Sequence, residues 1–105
     1  DKAADLAQRA IELLPSASFY DTLGFVFHKR KLYSLAIDRY QKAIEKSPNE
    51  VNYHIHLADS LSASAKDARA NSADVAKAKQ AYERALKLCG SCEKADEIKR
   101  GLASL

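Results

Sequence analysis

Three groups of residues in this chain have the types and spacing that could do chemistry. Cys89 and Cys92 form a C-x-x-C pair in the run CGSC, a spacing that serves redox dithiols, half zinc sites and, when His follows, haem attachment. Residue 93 is Glu, which removes haem. A zinc ion would need two more ligands, yet the chain has no other Cys, and His28, His54 and His56 belong to segments remote from the pair. Two readings of Cys89 and Cys92 stay open. One is a redox or regulatory disulfide, although no alternating strand and helix pattern surrounds it. The other is structural, with Cys89 a small buried residue, Gly90 a helix stop and Ser91 the cap of the next helix.

His54 and His56 stand two apart, so on a helix they point away from each other and cannot chelate together. The run HKRK at 28–31 ends a predicted helix, where positive charge complements the dipole. A phosphate-binding patch would want interleaved exposed aromatics, which are missing here. No Gly-rich phosphate loop, nucleophile elbow or paired-carboxylate motif is visible. The expectation is therefore a protein without enzymatic activity, cofactor or metal.

The elements that carry these residues follow from composition and periodicity. A chain of 105 residues, 47% apolar and 30% charged, is sized for one domain and one core. Only three Gly and two Pro interrupt it, while Ala, Leu, Lys and Glu abound, so the expected class is all-α. The net charge of +3 is spread along the chain, not gathered into a nucleic-acid footprint. No apolar run has the roughly 18 residues of a membrane span, so the fragment is expected to be soluble, in a cytoplasm or a bacterial periplasm. It opens at Asp1 inside a helical pattern and contains no Met, as expected of a piece of a longer protein.

A repeat organises the middle. Tyr20, Leu23, Gly24 and Phe27 carry helical spacing, and so do Ala36, Tyr40 and Ala43 up to Pro48, the two runs meeting at KRKLY. The stretch TLGFVFHKRKLYSLAIDRYQKAIEKSP resembles a tetratricopeptide repeat, a helix-turn-helix unit of about 34 residues. Upstream, Ala3, Ala7, Ala10 and Pro15 repeat the spacing of Ala36, Tyr40, Ala43 and Pro48, so residues 1–15 read as the second helix of a truncated repeat. Residues 17–50 form a full unit. In residues 51–90, His54, Leu57, Ala58 and Leu61 lie 34 positions after Tyr20, Leu23, Gly24 and Phe27, and Ala78, Tyr82, Ala85 and Gly90 close the unit. Residues 91–105 read as a capping helix, because Lys99 stands where another repeat would need a small residue. About six helices in a right-handed superhelical array are implied. The phrases YDTLGF, YHIHLA and AIELLP are also similar to repeats of bacterial multi-repeat proteins.

The third unit spans 20 residues from Ala58 to Ala78 where its predecessor spans 12 from Gly24 to Ala36, an insert of 8 at the internal turn. The stripe continues through Ala65 and Ala68, which predicts a first helix running to about residue 69, a break at Asn71, Ser72 as N-cap and an overhang of roughly 5 to 10 Å. A loop is the competing reading.

In tetratricopeptide arrays the first helices line a concave groove for a peptide or helix of a protein partner. Carried over by position, the resemblance implies a groove formed by Asp21, Thr22, Phe25, His28 and Lys29 of one unit and Asn52, Ile55, His56, Asp59 and Ser62 of the next. Phe25 and Ile55 would be its apolar anchors. A subset of the family clamps a carboxylate with Lys, Arg and Asn; the corresponding places here hold Asp21, Phe25, Thr22, Asn52 and His56, which disfavours that use. The alternative to a scaffold is self-association through an exposed face of the first helix, with Leu6, Ala10 and Leu13 as candidates. Weak nucleic-acid binding ranks third.

Overall fold

The computed structural model describes residues 2–13, 16–67 and 72–105, and among them the chain is all-α, with six helices and no strand. Helix α1 spans Lys2–Leu13, α2 Ala17–Lys29, α3 Tyr33–Lys46, α4 Val51–Lys66, α5 Ser72–Cys89 and α6 Ala95–Ala103. Each helix packs mainly against the one before it and the one after, and α2 also touches α4. The hairpins α2/α3 and α4/α5 thus lie side by side, with α1 and α6 on the flanks.

Local chemistry sets the boundaries. Ser16 caps α2, its hydroxyl accepting from the Phe19 N–H at 3.4 Å. The chain turns into α3 through Lys31, at φ 62°, a left-handed conformation that costs an L-residue about 1–2 kcal/mol. Gly90, at φ 63°, ends α5 without that cost.

Small residues on the stripes allow close packing. Ala36, Ala43, Ala58, Ala78 and Ala85 have no exposed surface, and a methyl added at Gly24 would lie 2.6 Å from the Tyr40 ring. The main core joins α4, α5 and α6 around Ile55, Leu61, Tyr82 and Ile98; a smaller one holds Leu23 against Ala4, Phe19, Tyr20 and Phe27.

The insert of the second hairpin lengthens both of its helices, but the hairpin overhangs less than expected. Both α2 and α4 begin seven residues before their small residue, Gly24 and Ala58, so all the extra length lies at the tip. Three of the added residues extend α4, three extend α5 and two fall between the helices. An overhang of three residues is about 4.5 Å, just under one turn. The expected end near residue 69 is corrected to Lys66, because Asp67 already has extended backbone at φ −67°, ψ 152°. The tip is held by the Ser64 hydroxyl, which donates to Asp74 at 2.7 Å, an acid in the first turn of α5. Ser72 is the first residue of α5; Ala68 and Asn71 lie outside the described residues.

The last helix also differs from expectation. It begins at Ala95, after Lys94, so Ser91 is not its cap. A disulfide joins Cys89 to Cys92 and turns residues 90–94 back over the end of α5, with the Cys92 N–H on the Cys89 carbonyl and the Ala95 N–H on that of Cys92. The two cysteines are bonded to each other, so Cys89 is not a free thiol, while Gly90 ends α5 as the structural reading expected; Cys89 is half-buried and Cys92 exposed. The small residue of α6 is Gly101, two positions past exposed Lys99, and a methyl there would lie 2.6 Å from the Tyr82 ring.

Candidate functional site

Helices α2 and α4 run beside each other, and polar side chains tie them together. His56 of α4 donates from Nδ1 to the Asp21 carboxylate of α2 at 2.7 Å. Seven residues along α2, His28 Nδ1 lies 2.7 Å from the hydroxyl of Ser60. Tyr40 of α3 lies beneath, its ring 5.6 Å from that of His56. Between these ties opens a concavity of about 230 Å³. Its walls are Phe25, His28, Tyr40 and His56, and its charged members are Lys29, Asp59 and Glu97.

Electrostatics follow from burial and these bonds. The hydrogen bond to Asp21 raises the His56 pKa above its usual value against the opposing effect of burial, so the ring takes up charge readily beside its carboxylate. Burial lowers that of His28, although Asp59 pulls the other way, so this ring favours its neutral form. Asp59 is half-buried and accepts a 2.5 Å bond from the Tyr82 hydroxyl; burial nevertheless pushes its carboxyl upward. Tyr40 and Tyr82 are both shifted up, chiefly by burial, and stay neutral. The Lys29 ammonium sits 5.3 Å from the centre of the half-exposed Phe25 ring.

Five of the ten groove residues expected from the sequence line the concavity, Phe25, His28, Lys29, His56 and Asp59, and Asp21 joins them through its bond to His56. The other four do not take part. Ile55 is buried to 2% exposure in the core with Ile98 and Tyr82, which corrects its reading as an exposed anchor. Ser62, seven residues further along α4, is buried as well. Thr22 is exposed and spends its hydroxyl on the Ser18 carbonyl of its own helix at 2.9 Å. Asn52 accepts a 2.5 Å bond from the Lys94 ammonium, which pins the start of α6 to α4.

Reading residues 91–105 as a cap hid the part of α6 that reaches the site, Glu97 and Lys94. Counted from Gly101, Glu97 takes the place that Tyr20 and His54 hold in the two hairpins, which the repeat reads as core, so the register carried no signal for it. Tyr40 was in the repeat register, but only as a core residue.

Serine, histidine and aspartate occur together here, yet they do not form a hydrolytic relay. Ser60 has no exposed surface and pairs with His28, whereas Asp21 pairs with His56. Elsewhere, His54 is buried and its Nε2 donates to the Pro48 carbonyl at 2.7 Å, on the side of α4 away from His56. Among the described residues no group of three His, Cys, Asp or Glu side chains could hold a metal ion, and no helix is long and apolar enough to cross a membrane. A second, shallower recess of about 370 Å³ lies between α3 and α5, lined by Gln41, Leu57, Leu61, Lys77, Gln80 and Ala81. It lacks the convergent charged groups of the first. No protein-family model matches the chain, and no curated protein matches it, so its own residues carry the functional reading.

Proposed function

We propose that the chain is a protein-interaction scaffold of the tetratricopeptide kind, which receives a peptide or helix of a protein partner in the concavity floored by α2 and α4. In this reading the two hairpins are successive units of a right-handed superhelix, α6 is a capping helix that covers the last apolar face, and the protein acts by binding. The observation that carries it is Phe25: half exposed, in the middle of a first helix, at the mouth of a recess held open by the Asp21–His56 and His28–Ser60 ties. A rigid wall with one apolar anchor and a polar rim suits recognition of a partner side chain.

A photo-crosslinking side chain at Phe25 should trap the partner, while the same group at Lys79, exposed on α5, should not. Equal trapping from both positions, or trapping from Lys79 alone, overturns the reading. Self-association is the second reading, favoured by Leu6, which is 58% exposed on α1; Ala10 and Leu13, its companions in the sequence, have side chains outside those described. It would appear in light scattering as a dimer that Leu6→Glu abolishes.

A further inference from the structure

The chemistry of the recess narrows what the partner must offer. We infer that the recess between α2, α4 and α6 receives an arginine side chain of a protein partner, its guanidinium stacked on Phe25 and paired with Asp59 and Glu97. This deepens the scaffold reading and rests on it.

Size is the first argument. About 230 Å³ is less than the roughly 300–1,000 Å³ of pockets that enclose small-molecule ligands, and suits a single long side chain.

Charge is the second. His56, Lys94 and Lys29 are the cations around the recess, and each is already engaged: His56 with Asp21, Lys94 with Asn52, and Lys29 over the face of Phe25. The two carboxylates that face it are not balanced. Asp59 uses Oδ1 for the Tyr82 hydroxyl, a neutral donor, and among the described residues neither it nor Glu97 has an ion-pair partner. The upward shift of Asp59 agrees with a desolvated carboxylate short of positive charge. An incoming carboxylate would meet two of its own sign.

The third argument is the wall. Phe25 presents a half-exposed aromatic face, and Lys29, exposed on a flexible stem, already holds an ammonium over it. The recess thus has a position that accepts a cation from its own chain and can exchange it for a partner's. A planar guanidinium fits better than an ammonium, since it stacks on a ring while its edge donates to carboxylates.

The test uses three blocked nine-residue peptides of Ala and Ser that differ only in a central arginine, citrulline or glutamate, titrated into the whole chain and followed by amide NMR shifts. The arginine peptide should shift the amides of Phe25, Asp59 and Glu97 and bind roughly tenfold or more tightly than the citrulline peptide, which keeps the shape without the charge. Asp59→Asn retains an acceptor for Tyr82 and should remove most of that preference. Glu97→Gln, at an exposed position, should reduce it severalfold even if the first variant folds poorly.

Equal binding of the arginine and citrulline peptides, or tighter binding of the glutamate peptide, overturns the arginine assignment and leaves a peptide groove standing. If no peptide moves the groove amides, the assignment also fails, whereas the groove itself is judged separately by crosslinking from Phe25.

Discussion

The hairpins α2/α3 and α4/α5 carry tyrosine at the same register, and the two rings are accommodated differently. Tyr40 presses against Gly24 on the first helix of its own hairpin, and its ring also faces His56 of the next. Tyr82 gives its hydroxyl to Asp59 on its own hairpin and presses instead against Gly101 of α6. Each tyrosine bridges two helices, α2 and α4 for Tyr40 and α4 and α6 for Tyr82, but the glycine lies on the near side in one joint and the far side in the other. Where the glycine is near, the hairpin closes tightly on itself and its tyrosine opens onto the recess. Where it is far, the polar end of the ring is sealed by an acid, and tight packing is passed on to α6.

The strongest test of this contrast uses Ile55, whose register twin in the first hairpin is Asp21. Ile55→Ala should cost about 2–5 kcal/mol in urea unfolding, the range for truncating a buried aliphatic residue. Phe25→Ala, at a half-exposed position, should stay within about 0.5 kcal/mol. Similar losses would mean that Phe25 belongs to the core and the hairpins do not differ as described.

Gly24→Ala comes next, with an expected loss of about 1–3 kcal/mol in thermal unfolding, because the new methyl meets a tyrosine ring that is 2% exposed and has little room to yield. Gly101→Ala should cost less, since α6 packs mainly on one neighbour and can shift. The reverse order would make the α5/α6 joint the tighter one.

Replacing both Cys89 and Cys92 by Ser should cost at most about 2 kcal/mol, as the closed loop is short. Its effect should be local: amide exchange in α6 should quicken while α2 and α3 keep their protection. Unchanged exchange in α6 would mean that Tyr82, Gly101 and the Lys94–Asn52 bond suffice to hold that helix.

The smallest effect concerns pH. His56 has a raised pKa in the fold, so its contribution is complete below its ordinary value of 6.5 and fades as pH rises through the folded value. His28 is shifted down and contributes in the opposite sense: its share is present above 6.5 and is lost as pH falls through the folded value. Asp21→Asn removes the charge that raises His56. The wild-type chain should therefore gain on the variant as pH falls from about 8 to about 6, by less than about 1 kcal/mol for a partly exposed pair. A constant difference across that range would mean the Asp21–His56 tie is insensitive to protonation.

Periodicity made the helices legible, because Ala, Leu and Tyr recur at helical spacing and so few Gly and Pro interrupt them. Residue type made Phe25, His56 and Asp59 candidates once a register was assumed. What stayed hidden depended on neighbours distant in sequence. Ile55 looked like a groove residue until Ile98 of α6 was brought into the same core, although its polar twin Asp21 was a hint that the positions differ in environment. Glu97 and Lys94 were missed because five residues, bent by the disulfide, join α5 to α6 where four join α3 to α4, which takes α6 out of the repeat register. Helix ends at the α4/α5 tip could be read only to within a turn, since Ala favours continuing a helix whether or not anything packs against it.

The way the extra residues are shared at that tip bears on how such a chain can change length. Because α4 and α5 each gain three residues at the tip, the start of each hairpin stays seven residues before its small residue, Gly24 or Ala58. A foreign segment grafted after Asp67 and before Ser72 would be borne on the two lengthened helix ends, away from the residues that form the core at the base.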